Sequence, residues 1–92
     1  MSEEVKELEM FEMADKFINI ANELVQGQSQ EIGRVGAAIR YAAARFNAHD
    51  ANSKSKNLEE DKEKAIEWYT DQYKKMLAEN INEHIKLNNL KK

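Results

Sequence analysis

The chain contains no cysteine and no proline, and only three glycines among its 92 residues. Without cysteine it has no disulfide framework, no thiol nucleophile and no thiolate metal site. Without proline, nothing forces a break in a long helix. No run approaches the ~18 consecutive apolar residues of a membrane span, and the acidic opening, MSEEVKELEM, lacks the basic and then apolar pattern of a secretory leader. A clustered basic surface is also missing: 17 acidic side chains face 14 basic ones, for a net charge of −3. That balance disfavours nucleic acid, whose binding draws on counterion release by clustered cations. A basic amphipathic helix suited to a membrane surface is likewise absent, since the C-terminal IKLNNLKK is short and rich in asparagine. What is present, 41% hydrophobic and 34% charged residues, suits one small folded helical domain in the cytoplasm. At this size self-association is a natural source of added stability.

Hydrophobic periodicity predicts three helices. In the first, about 6–25, Met10, Phe11, Ala14, Phe17, Ile18, Ala21, Leu24 and Val25 recur at spacings of three and four, and Met13 and Ile20 widen that face. Gly27 is expected to end it in the left-handed conformation. The second, about 31–48, is the most apolar stretch, with Ile32, Val35, Ile39, Ala42 and Phe46 on one face. A strip of Ala37, Ala44 and Ala48 runs along another side, either exposed or packed closely against another helix or a second subunit. Polar composition predicts a loop over 47–57. Asn57 and Glu60, followed by Asp61, form a variant capping box that starts a third helix, about 58–88, the longest of the three. On its wet side Glu60 with Lys64 and Asp71 with Lys75 have the spacing of helical ion pairs. Short loops favour antiparallel neighbours, so the expected fold is all-α, an antiparallel three-helix bundle with a long C-terminal helix. The end of that helix, with Ile81, Ile85 and Leu87, should overhang and either fray or be covered by a second copy.

Candidate chemistry is sparse. His49 and His84 have no glutamate three residues before them and no converging ligand set, so no metal site is expected. Ser2, Ser29, Ser53 and Ser55 lack a histidine-and-acid pattern, and GRVG at 33–36 lacks the strand and spacing of a phosphate loop. The chain is therefore read as non-enzymatic and without a cofactor. Arg34, Tyr41 and Arg45 lie within about 20° of one line along helix 2, away from its apolar face. Two guanidiniums flanking a phenol suit bidentate recognition of carboxylates or phosphates. The simpler expectation is that the arginines pair with acidic residues of helix 1 or helix 3 in the same molecule. Trp68, at the edge of the helix 3 stripe, is a second interface candidate, or lies flat over its own core. A small-molecule pocket between helices 1 and 3, lined by Tyr69, Tyr73 and Met76, is the alternative; the simpler reading makes these core. Arg40 lies more than 90° round from Arg34 and Arg45, so the three make no single stripe for nucleic acid.

MADKFINIAN at 13–22, YAAARFNA at 41–48 and TDQYKKMLAEN at 70–80 resemble a family of small proteobacterial proteins classed as a domain of unknown function. The resemblance covers about 70 residues and implies a cytosolic bacterial protein; it supplies no activity, cofactor or catalytic residue. The sequence departs from the expected pattern at His49, where an apolar residue would extend the motif. The overall expectation is a homodimeric module for protein–protein interaction or regulation, with Arg34, Tyr41, Arg45 and Trp68 as partner-binding candidates.

Overall fold

A computed structural model of the chain describes residues 8–91. Among these residues the regular structure is entirely helical: α1 spans Met10–Asn22, α2 Ile32–Lys54 and α3 Leu58–Leu90. The expected start of helix 1 at residue 6, and the charged lead-in before it, lie outside the described residues. The chain divides into two compact units, the first ending at Arg45 and the second beginning at Phe46, so the boundary falls within α2.

In the first unit, α1 begins after Glu9, whose extended backbone (φ −64°, ψ 151°) precedes the helix without a side-chain cap. Its end differs from the expectation at Gly27. The helix widens into a π turn over Glu23–Gly27. There Gln28 N–H donates to Glu23 O at 3.1 Å and Gln30 N–H to Leu24 O at 2.9 Å, longer reaches than the four-residue step of an α-helix. Gly27 keeps a helical backbone, and the left-handed residue is Ser29, at φ 55°. A widened last turn places the reversal two residues later than a standard glycine stop. α2 then starts at Ile32, with Glu31 O accepting from the N–H groups of Arg34 and Val35. The two apolar residues buried among the described residues, Ala21 and Val35, flank this connection. Leu24, Val25 and Gly36 nearby are half-buried. Further along, the apolar faces are open: Phe11 is 73% exposed, Phe17 68% and Ile32 75%. Ala37 and Ala44 are exposed as well, as is Ala48 just past the boundary, so among the described residues the alanine strip is open.

In the second unit, α2 continues to Lys54, six residues past its expected end, and the loop shrinks to 55–57. The polar residues that suggested a loop are used inside the helix. Lys54 Nζ pairs with Asp50 Oδ2 at 3.1 Å across one turn, and Ser53 Oγ donates to Asp50 O at 2.8 Å. α3 starts where expected. Asn57 Oδ1 accepts from Glu60 N–H at 3.2 Å, and Glu59, Glu60 and Asp61 occupy the first turn, where negative charge opposes the helix dipole. The capping box is only half formed, because Ser55 Oγ rather than Glu60 accepts the Asn57 N–H, at 3.2 Å. At 33 residues α3 extends about 50 Å at 1.5 Å per residue. Its stripe is half-exposed along Ile66, Tyr73, Leu77 and Ile85. Among the described residues Lys54–Asp50 is the one ion pair. The expected Glu60–Lys64 and Asp71–Lys75 pairs are not closed: exposed lysines gain little by holding one geometry against solvation and side-chain entropy.

Candidate functional site

The most covered part of the second unit is the corner between the end of α2 and the start of α3. Asn47, Asp50, Ala51, Ser55, Ala65 and Tyr69 are all half-buried there. α2 delivers Asp50, Ala51 and Lys54 one turn apart, and α3 delivers Leu58, Asp61, Ala65 and Tyr69 at the three- and four-residue spacings of one helical face. Tyr69 Oη donates to Asp50 Oδ2 at 2.7 Å, the same oxygen that holds Lys54. Ser55 Oγ donates to Asp61 Oδ2 at 2.6 Å while accepting from Asn57, so one hydroxyl joins the loop to the first turn of α3. Asp50 thus ties the end of α2 to α3, and Asp61 ties the first turn of α3 to the connection.

The electrostatics of the corner follow from these bonds. The Tyr69 phenol, and then Lys54, hold the Asp50 carboxyl below its ordinary value of 3.8. Reciprocally, the hydrogen bond to Asp50, helped by desolvation, pushes the Tyr69 phenol above its ordinary value of 10.0. A phenol that donates to a carboxylate resists losing its proton, and a carboxylate that accepts it resists gaining one. Neither shift moves its group toward neutral pH, so the pair acts as a latch rather than as an acid–base device.

Beside the latch is an open cleft of about 400 Å³, lined by Ala51, Lys54, Leu58, Lys64, Ala65 and Trp68 among others. Trp68 stands 56% exposed, edge-on to the Tyr69 ring with centroids 4.9 Å apart at 88°. The favoured edge-to-face geometry holds the indole at the rim of the cleft. It therefore does not lie flat over a core. Of the residues expected to line a small-molecule pocket, Tyr69 reaches this cleft, and Tyr73 and Met76 do not.

The remaining sequence candidates belong to the first unit. Arg34, Tyr41 and Arg45 are exposed along α2, on the side away from its apolar stripe. The expected intramolecular pairing of the arginines does not occur among the described residues. Sequence reasoning missed the Asp50–Tyr69 latch and the Ser55–Asp61 bond. The four-residue step from Asp50 to Lys54 carried the signal that this segment continues the helix, but its Asn- and Ser-rich composition outweighed it. Among the described residues no three His, Asp or Glu side chains converge on one point, and no helix is long and apolar enough to cross a membrane.

A family described as a protein of unknown function (DUF3144) has a model that matches residues 10–85. That span takes in α1, α2 and most of α3, including the corner and its cleft. No curated protein and no solved structure matches the chain.

Proposed function

The chain belongs to the DUF3144 family of proteins of unknown function, and from that premise we propose that it is a non-enzymatic module for protein–protein contact that works as a homodimer. The observation that carries this reading is the exposure of its apolar faces. Phe11, Phe17, Ile32 and Phe46 are each more than 65% exposed, while only Ala21 and Val35 are buried among the described residues. Large apolar side chains left exposed along helical faces are the raw material of association surfaces. A chain of this size that leaves such surface in water forgoes most of the hydrophobic stabilisation available to it, about 25 cal/mol per Å². In our reading the three helices close into an antiparallel bundle when a partner covers these faces, and the module acts in the bacterial cytoplasm. Arg34, Tyr41 and Arg45, with Trp68 on the second unit, are the polar and aromatic anchors we assign to partner contact.

The test uses Phe17→Ser and Ile39→Ser, followed by light scattering after size-exclusion chromatography. Loss of association with helical content retained supports the reading. If the wild-type chain is monomeric and both substitutions unfold it, these residues form the core of a single chain and the reading fails.

The cleft supports a second reading, a small-molecule site at the α2–α3 corner with Trp68 at its rim and Lys64 as its cation. Quenching or a blue shift of the single tryptophan on adding a bound aromatic acid, abolished by Lys64→Met, would favour it.

A further inference from the structure

The first unit carries its charges in two blocks. Residues 8–31 hold five carboxylates, Glu9, Glu12, Asp15, Glu23 and Glu31, against the single base Lys16; residues 32–45 hold Arg34, Arg40 and Arg45 and no carboxylate. Both blocks belong to one unit, yet no ion pair joins them among the described residues. Among the described residues burial is confined to Ala21 and Val35 beside the α1–α2 connection. α1 with its cap residue carries Glu9, Glu12 and Asp15 against Lys16, Glu23 and Glu31 follow it in the turn and connection, and α2 opens with the three arginines. A mildly acidic and a basic segment thus each leave an exposed apolar face. At 100° per residue, Arg40 lies about 100° from the centre of the α2 stripe, the nearest of the three arginines to its edge, while Arg45 lies about 120° round on the other side, on the face it shares with Arg34. Asp15 lies at one border of the broader α1 face, and Glu9 stands just ahead of the helix as its cap residue.

Resting on the homodimer reading, we infer that the occupant of these faces is the first unit of a second copy, its acidic α1 laid against the arginine-bearing start of α2 and the reciprocal contact made on the other side. A two-fold axis generates both contacts from one: the α1 patch of each copy meets the α2 patch of the other, two contacts in all. The surface suffices. Nine large apolar side chains between Met10 and Tyr41 are exposed, and at on the order of 100 Å² each, about half of a large side chain's burial, they offer roughly the ~800 Å² per partner of a stable interface. The apolar faces drive association, and the charged borders select which helix meets which.

Paired charge reversals test this arrangement. Glu9→Lys with Asp15→Lys makes α1 basic, and Arg40→Glu with Arg45→Glu makes α2 acidic. Each double variant alone places like charges at both contacts, and its dimer dissociation constant should rise by on the order of tenfold or more. In an equimolar mixture the basic α1 of one variant meets the acidic α2 of the other, and the arginines of the first meet the carboxylates of the second. Opposite charges return at both contacts, so native mass spectrometry should show the mixed dimer in excess over both homodimers. Circular dichroism at the same concentrations confirms that the helices persist; if they do not, single reversals of Asp15 and Arg40 replace the doubles. Wild-type dimers with reversal variants that dimerise equally well, or a mixture that shows no preference for the mixed species, overturn the α1-to-α2 arrangement while leaving the homodimer intact. A wild-type chain that stays monomeric overturns the homodimer reading itself.

Discussion

Removing the cap of α3 is a perturbation whose size follows from the structure. In Asn57→Ala the Glu60 N–H loses its 3.2 Å acceptor and returns to water. Losing an N-cap side chain costs about 1 kcal/mol, within a range of ~0.5–2. A long bond in an exposed setting belongs in the lower half of that range, so we expect roughly 0.5–1 kcal/mol. With a urea dependence of ~2 kcal/mol per M, the unfolding midpoint should fall by roughly 0.4 M. Glycine tolerates the extended cap backbone (φ −147°, ψ 91°) and leaves the freed N–H open to water, so Asn57→Gly should cost only a few tenths of a kcal/mol. Asn57→Asp keeps an acceptor and should unfold close to wild type. Urea titrations of the four proteins at one fixed concentration, followed by circular dichroism at 222 nm, keep the contribution of association equal throughout. An unchanged midpoint for Asn57→Ala, or glycine and alanine costing the same, would refute the assignment of Asn57 as the cap that starts this helix.

Ser29 holds a left-handed backbone at φ 55°, which costs a residue with a Cβ about 1 kcal/mol. Ser29→Gly should therefore raise stability by roughly 0.5 kcal/mol after the added freedom of the unfolded chain is counted; a lower thermal midpoint would contradict that backbone geometry. Gly27→Ala should be neutral or stabilising. The added Cβ would meet only the carboxyl end of Glu23, at 2.5 Å, a flexible group that can swing aside, and alanine is the better helix former; strong destabilisation would show that the π turn requires glycine. For the corner latch, a depressed carboxyl contributes stability that is present above its ordinary value of 3.8 and is lost as pH falls through its lower folded value. A raised phenol contributes stability that is present below 10.0 and is lost as pH rises through its higher folded value. The latch therefore persists through neutral pH. Tyr69→Phe should move the Asp50 carboxyl back toward 3.8, and by more than Lys54→Met does; an unmoved Asp50 carbon resonance in an NMR pH titration would rule out the Tyr69 bond.

The elements that were legible in the sequence are those fixed by local chemistry. Asn57 followed by Glu59, Glu60 and Asp61 marks a helix start because the cap and the dipole act within one turn. The stripe of α1 was readable because a spacing of three and four permits only one face. Misreadings arose where one composition serves two structures. Between Asn47 and Lys54, asparagine, aspartate and serine suit a loop, yet here Asp50 and Lys54 close a helical ion pair and Ser53 bonds back to Asp50. Gly27 looked like the reversal because glycine reaches the left-handed region at no cost, but the widened turn shifts that demand to Ser29. The site was less legible than the helices. Tyr69 sits on the apolar stripe and reads as core; that its hydroxyl finds Asp50 depends on how α3 meets the end of α2, which periodicity does not encode. An apolar stripe likewise specifies that a face needs cover and leaves open whether the cover comes from the same chain.

Sedimentation equilibrium of the untagged wild-type chain, over a hundredfold range of concentration at physiological salt, tests the account at its centre. The exposed faces of α1 and α2 lead us to expect a mass twice the 10.7 kDa of one chain, shifting toward the single-chain mass on dilution, with a melting temperature that falls in step. A mass of 10.7 kDa at every concentration, together with cooperative and concentration-independent melting, would mean that one chain covers its own apolar faces, and would contradict the account.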